Sequence, residues 1–104
     1  MRLKPKDLQN LNPLVKSGII YTQLEDYDKA IASFNEAVEQ NPQDALAFVF
    51  RGLTYAIMGE QEAAYRDNAC SDLQEAVRLD PRVRELSIVK KRRPQDENWS
   101  LRTQ

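Results

Sequence analysis

Residues 14–42 read LVKSGIIYTQLEDYDKAIASFNEAVEQNP, and a second copy of their pattern follows in the chain. A shift of 34 residues aligns the first halves of the two copies: Leu14 with Phe48, Gly18 with Gly52, and Tyr21 with Tyr55. A shift of 39 residues aligns the second halves: Ala30 with Ala69, Phe34 with Leu73, Ala37 with Ala76, and Pro42 with Pro81. The chain therefore contains an internal repeat, and its second copy has five additional residues.

The spacing inside each copy predicts a helical hairpin. Leu14, Gly18 and Tyr21 are four and three residues apart, so they share one face of a helix. The second half of the copy has the same spacing, at Ala30, Phe34 and Ala37. Small residues on both faces allow the two helices to approach closely, and the large residues fill the space beside them.

Capping residues predict where the helices begin. Asn12 precedes Pro13, which suits the first helical position, and Asp26 and Asp44 can cap the second and third helices. Gly59 indicates a turn after the third helix. The predicted helices span residues 13–24, 27–40, 45–58, 61–79 and 82–92.

The additional residues of the second copy lie around Gln61–Asn68. Tyr65 lies four residues before Ala69 and continues the same helix face toward the N-terminus, which favours a fourth helix that is lengthened at its start. Five residues correspond to about 1.4 helical turns. A loop capped by Asp67 or Asn68 is the alternative. A projecting turn with Tyr65 and Arg66 would be available to a partner.

These residues resemble the pattern of the tetratricopeptide repeat family. In that family the first helix carries a large apolar residue, a glycine and a tyrosine. The second helix carries an alanine, an aromatic residue, a second alanine and a closing proline. The resemblance covers about residues 11–81. It implies an all-α fold, in which two helical hairpins and a C-terminal capping helix form a right-handed α-solenoid.

The resemblance also divides the chain into five parts. They are a basic N-terminal segment (1–10), repeat 1 (11–44), repeat 2 with the five-residue insertion (45–81), a capping helix (82–93) and a polar tail (94–104). The family usually has an apolar residue just before the glycine, where this chain has Ser17 and Arg51. This departure predicts one looser contact in each repeat.

The resemblance implies a binding groove, because the first helix of each repeat in this family lines a concave face that receives a peptide or another protein. The exposed positions would be Asn12, Val15, Ile19, Thr22 and Gln23 in repeat 1, Leu46, Val49, Leu53, Ala56 and Ile57 in repeat 2, and Ile88 and Arg92 in the last helix. Their apolar members predict a contiguous patch of the kind that marks binding sites. One subclass clamps the terminal carboxylate of chaperones with a lysine and an asparagine. Val15 and Ile19 stand at those positions, so chaperone-tail binding is not expected.

Composition excludes several chemistries. The chain has no histidine and one cysteine, Cys70, so histidine-dependent triads, histidine zinc sites and internal disulfides are excluded. The acidic cluster at Glu25, Asp26 and Asp28 lacks the spacing of a calcium loop. We expect no catalytic activity, no cofactor and no metal. No apolar run resembles a membrane span or a signal peptide, so we expect an intracellular, cytoplasmic protein.

The net charge of −1 conceals an acidic centre with basic ends. Residues 12–81 carry five basic and twelve acidic side chains, whereas residues 82–104 carry seven basic and three acidic ones. The basic tract Lys90, Lys91, Arg92 and Arg93 fits the positive C-terminus of a helix, where it offsets the helix dipole. A nuclear import signal, or contact with nucleic acid or an acidic partner, is the less favoured alternative.

The sequence thus predicts a scaffold or adaptor that binds a partner segment in the apolar groove. Repeat arrays commonly need about three units for stability, and this chain has two. The groove must therefore be covered by a partner, by a second copy or by the chain's own last helix or tail. Homo-oligomerisation and nucleic-acid or acidic-partner binding through residues 90–93 are the alternatives, and nucleic acid is the less favoured partner.

Overall fold

The computed structural model describes residues 11–86, and the regular structure in this range is helical. The elements are α1 (Pro13–Gln23), α2 (Tyr27–Gln40), α3 (Ala45–Met58), α4 (Ala64–Leu79) and a 3₁₀ helix (Pro81–Glu85). The predicted N-terminal segment, residues 87–93 of the predicted capping helix and the predicted tail lie outside the described residues. Within residues 11–86 no helix is long and apolar enough to cross a membrane.

The first three helices begin at the predicted capping residues. The Asn12 side chain accepts a hydrogen bond from the backbone N–H of Leu14 at 2.8 Å, and Pro13 follows at the first helical position. Asp26 and Asp44 accept hydrogen bonds in the same way at the starts of α2 and α3. Each cap satisfies a backbone N–H that has no partner within its own helix, which explains why the helices begin at these residues.

The helices stack in sequence order. α1 packs on α2, α2 packs on α3, and α3 packs on α4, while the 3₁₀ helix packs on α4 and α3. This arrangement confirms the predicted all-α helical repeat built from two hairpins. The handedness of the stack and the division at residue 44 stay predictions.

Two clusters of buried side chains form the core. The first contains Val15, Ala30, Phe34, Ala37 and Ala47. The second contains Ala45, Val49, Leu73, Ala76, Val77 and Val83. Gly18 makes the first cluster possible, because a Cβ at this position would lie only 2.4 Å from Cε1 of Phe34. Because Gly18 has no side chain, the ring of Phe34 from α2 can pack directly against α1.

The additional residues of the second copy are shared between three elements. In the aligned register, one of them extends the C-terminal end of the first helix, two lengthen the turn and two extend the N-terminal start of the second helix. α4 begins at Ala64, three residues after the predicted start at residue 61, and the helix is lengthened at its start as predicted. The alternative, a loop capped by Asp67 or Asn68, is wrong. The N-cap is Ala63, which makes no side-chain capping hydrogen bond.

The lengthened turn is held by packing and does not project freely. The ring of Tyr65 stacks on that of Tyr55, with their centroids 5.8 Å apart and an interplanar angle of 15°. Nε of Arg66 donates a hydrogen bond to the carbonyl oxygen of Gly59 at 3.1 Å. These contacts join the end of α3 to the start of α4 and hold the turn in one position.

The chain after α4 departs from the predicted α-helix over residues 82–92. Residues Pro81–Glu85 form a 3₁₀ helix, and Leu86 then has an extended backbone conformation. The Asp80 side chain accepts hydrogen bonds from both the backbone and the guanidinium of Arg82, which fixes a tight turn. Val83 is fully buried in the second core cluster, so packing holds this short element in place.

Candidate functional site

The structure separates the predicted groove residues into core and surface. Val15 and Val49 are both 0% exposed, so their prediction as exposed groove residues is wrong. Each valine belongs to a core cluster, and each cluster includes a residue from the element that follows the valine's own hairpin. For Val15 that residue is Ala47 of α3, and for Val49 it is Val83 of the 3₁₀ helix. These following elements help to enclose the two valines.

The remaining groove residues of α1 and α3 mostly meet at one pocket of about 200 Å³, called here the apolar pocket. The predicted residues that line it are Ile19, Thr22, Gln23, Leu53 and Ile57. Phe34, Phe50 and Thr54 also line it and were not predicted. Phe50 and Thr54 lie at helical spacing from Leu53 and Ile57, so the periodicity of α3 contained a signal for them.

Three other predicted residues do not line the apolar pocket. Asn12 caps α1, and Leu46 is half-buried against the second core cluster. Ala56 is half-buried. The remaining predicted site residues lie outside the described residues: Ile88, Lys90, Lys91, Arg92 and Arg93.

A pair of threonines joins the two helices that form the pocket. The hydroxyl oxygens of Thr22 and Thr54 are 2.9 Å apart, and each also lies within 2.9 Å of a carbonyl oxygen in its own helix. Two hydroxyl hydrogens serve these three contacts, so one threonine donates to the other, which in turn donates to a carbonyl. Because these polar atoms are already partnered inside the protein, the pocket presents an apolar surface to a ligand.

A second cavity of about 740 Å³, called here the acidic cleft, adjoins the apolar pocket, because Ile57 lines both. Five carboxylates line the acidic cleft: Glu25, Asp26 and Asp28 from the first hairpin, and Glu60 and Glu62 from the lengthened turn. No lysine or arginine is among the described residues that line it. In the part of the chain that the structure describes, no three acidic, cysteine or histidine side chains are placed to hold a metal ion.

The backbone at the edge of the acidic cleft is strained. Glu25 has a φ of 62°, in the left-handed region that favours glycine. The N–H groups of Glu25 and Asp26 donate to the carbonyl oxygens of Thr22 and Tyr21, at 3.0 and 2.9 Å. These bonds close the end of α1 and hold Glu25 in this conformation.

Arg51 forms an interhelical ion pair where a looser contact was predicted. Its guanidinium donates two hydrogen bonds of 2.8 Å to the carboxylate of Asp72 and a third, of 3.0 Å, to Asn35. The hydrogen bond with Asp72 raises the pKa of Arg51 above its ordinary value. The predicted loosening is therefore wrong at this position, because the paired guanidinium ties α3 to both α2 and α4.

Comparison with known proteins agrees with this geometry. Residues 18–59 match the family model described as TPR repeat. All eight residues that line the apolar pocket lie within the matched range. No curated protein and no solved structure matches the chain. Together with the repeated sequence pattern and the stacked hairpins, this match supports the assignment of the chain to the tetratricopeptide repeat family.

Proposed function

We propose that this protein is a non-catalytic scaffold or adaptor that binds a segment of a partner protein in the apolar pocket. Tetratricopeptide repeats generally mediate protein–protein interaction. The observation that carries the proposal is the meeting of Ile19, Leu53 and Ile57 at one open, apolar cavity. These residues come from the first helices of both hairpins, so the cavity exists only when the two repeats stack.

The size of the pocket limits what it contributes to affinity. About 200 Å³ accommodates one large apolar side chain of a ligand. Burial of such a side chain is worth about 1.5–3 kcal/mol. A dissociation constant of 1 μM requires about 8 kcal/mol, so a partner segment must also contact the surface around the pocket.

Two neighbouring isoleucines provide a matched test. Ile19 lines the apolar pocket, whereas Ile20 is 55% exposed and does not. In affinity capture from an extract of the source cells, Ile19→Glu should lose the proteins that the wild type retains. Ile20→Glu, with the same chemical change, should retain them. Leu53→Ala is a milder second variant, and circular dichroism checks that each variant is folded.

Two results would contradict the proposal. One is equal capture by folded Ile19→Glu, Leu53→Ala and wild type, because the pocket would then have no part in partner binding. The other is a wild-type dimer, seen by light scattering, that Ile19→Glu dissociates. That result would assign the pocket to a second copy of the chain.

A further inference from the structure

The surroundings of the apolar pocket carry information about its partner. Gln23 lines the apolar pocket, and Glu25, two residues later, lines the acidic cleft. Ile57 lines both cavities. A ligand that fills the pocket and continues past Ile57 therefore meets the carboxylates of the cleft.

Acidic side chains outnumber basic ones among the described residues. Residues 11–86 contain thirteen acidic and seven basic side chains. Among those cations, Lys29 forms an exposed ion pair with Asp26 at the cleft, with Nζ and Oδ2 3.6 Å apart. Arg51, Arg78 and Arg82 form ion pairs with carboxylates that do not line the cleft. The described residues therefore contribute a net negative charge to the cleft side of the pocket.

We propose that the partner segment combines an apolar side chain, which enters the apolar pocket, with lysine or arginine residues, which lie in the acidic cleft. This inference rests on the function proposed above and specifies the chemistry of the ligand. The apolar side chain supplies burial, and the opposite charges supply orientation, faster association and discrimination against acidic segments. Because the carboxylates are at the surface, the affinity must fall as the salt concentration rises.

A random library of twelve-residue peptides, selected against the full chain, tests this composition directly. The recovered peptides should be enriched in lysine and arginine within a few residues of a leucine, isoleucine, methionine or phenylalanine. The most enriched peptide is then synthesised, and its affinity is measured by fluorescence anisotropy. We expect its affinity to decrease between low and high concentrations of sodium chloride.

Two double variants separate the cleft from the overall charge. Asp28→Lys with Glu62→Lys reverses two carboxylates that line the acidic cleft. Glu36→Lys with Glu39→Lys makes the same change at exposed positions of α2 that line neither cavity. The cleft variant should bind the peptide about tenfold more weakly, whereas the control should stay within about twofold of wild type.

The other outcomes have distinct meanings. Recovery of acidic or uncharged peptides that still depend on Ile19 and Leu53 overturns this inference and leaves the proposed function standing. Peptides that bind independently of Ile19 and Leu53, or no recovered peptides, count against both. Peptides could also be recovered only when Lys90, Lys91, Arg92 and Arg93 are replaced by glutamine, and not with the wild type. That result would mean that the basic tract covers the site in the wild-type chain, which overturns the assignment to a partner.

Discussion

Replacement of Gly18 by alanine tests the packing that unites the first hairpin. A Cβ at position 18 would lie 2.4, 2.6 and 2.7 Å from three ring carbons of Phe34. Phe34 is 0% exposed and packs in the first core cluster, so its ring can yield only toward the apolar pocket that it lines. At the equivalent Gly52, the nearest atoms would be 3.1–3.3 Å from the new Cβ. The same substitution therefore meets a hard clash in one repeat and a tight contact in the other.

Two opposing effects set the expected magnitude. Alanine is favoured over glycine in a helix interior by about 1 kcal/mol. Overpacking of a core costs typically about 1–3 kcal/mol. The clash at Gly18 lies at the upper end of that range, so Gly18→Ala should lower the free energy of unfolding by about 2 kcal/mol. At Gly52 the two effects nearly cancel, and Gly52→Ala should stay within about 1 kcal/mol of wild type.

Urea unfolding of both variants and the wild type, followed by circular dichroism, measures these differences. The order of stability, with Gly18→Ala below Gly52→Ala, is the decisive result. A neutral Gly18→Ala, or a Gly52→Ala that is at least as damaging, would refute the assigned contact between α1 and the Phe34 ring.

Further expectations concern an ion pair, a strained residue and a helix cap. Asp72→Ala leaves Arg51 without its carboxylate and should cost about 2–3 kcal/mol in urea unfolding, whereas a change below about 0.5 kcal/mol would contradict the role of the pair. Glu25→Gly should raise the stability by about 1 kcal/mol by relieving the left-handed strain, and an unchanged or lower melting temperature would contradict it. The hydrogen bond with Arg82 lowers the pKa of Asp80. The stabilisation from this pair is therefore present above the ordinary pKa of an aspartate and is lost as the pH falls through the folded-state pKa of Asp80. Asp80→Asn should therefore flatten the decline of melting temperature below about pH 4, and an unaltered decline would argue against this pair.

Local signals in the sequence were sufficient for the framework of the fold. Asn12, Asp26 and Asp44 predicted the starts of three helices, because a capping side chain acts on backbone groups only two or three residues away. The repeated alanines and glycines predicted the close approach of paired helices. These features depend on neighbours in sequence or on a fixed repeat length, and both can be read from one chain.

Features that depend on contacts between distant elements were harder to predict. The sequence predicted a looser contact at Arg51, because nothing in α3 indicates that Asp72 of α4 faces this side chain. Val15 and Val49 had the spacing of groove residues, but they are buried in core clusters that extend into later elements. Glu60 and Glu62 join the first-hairpin carboxylates only because the two interhelical turns lie side by side.

The most direct test of the central claim is a methyl NMR titration of the full chain, labelled at isoleucine and leucine, with the most enriched peptide. Occupation of the apolar pocket predicts the largest shifts at Ile19, Leu53 and Ile57. Ile20, which is exposed and outside the pocket, serves as an internal reference and should change little. Saturable shifts that leave the three pocket residues unchanged would contradict the account.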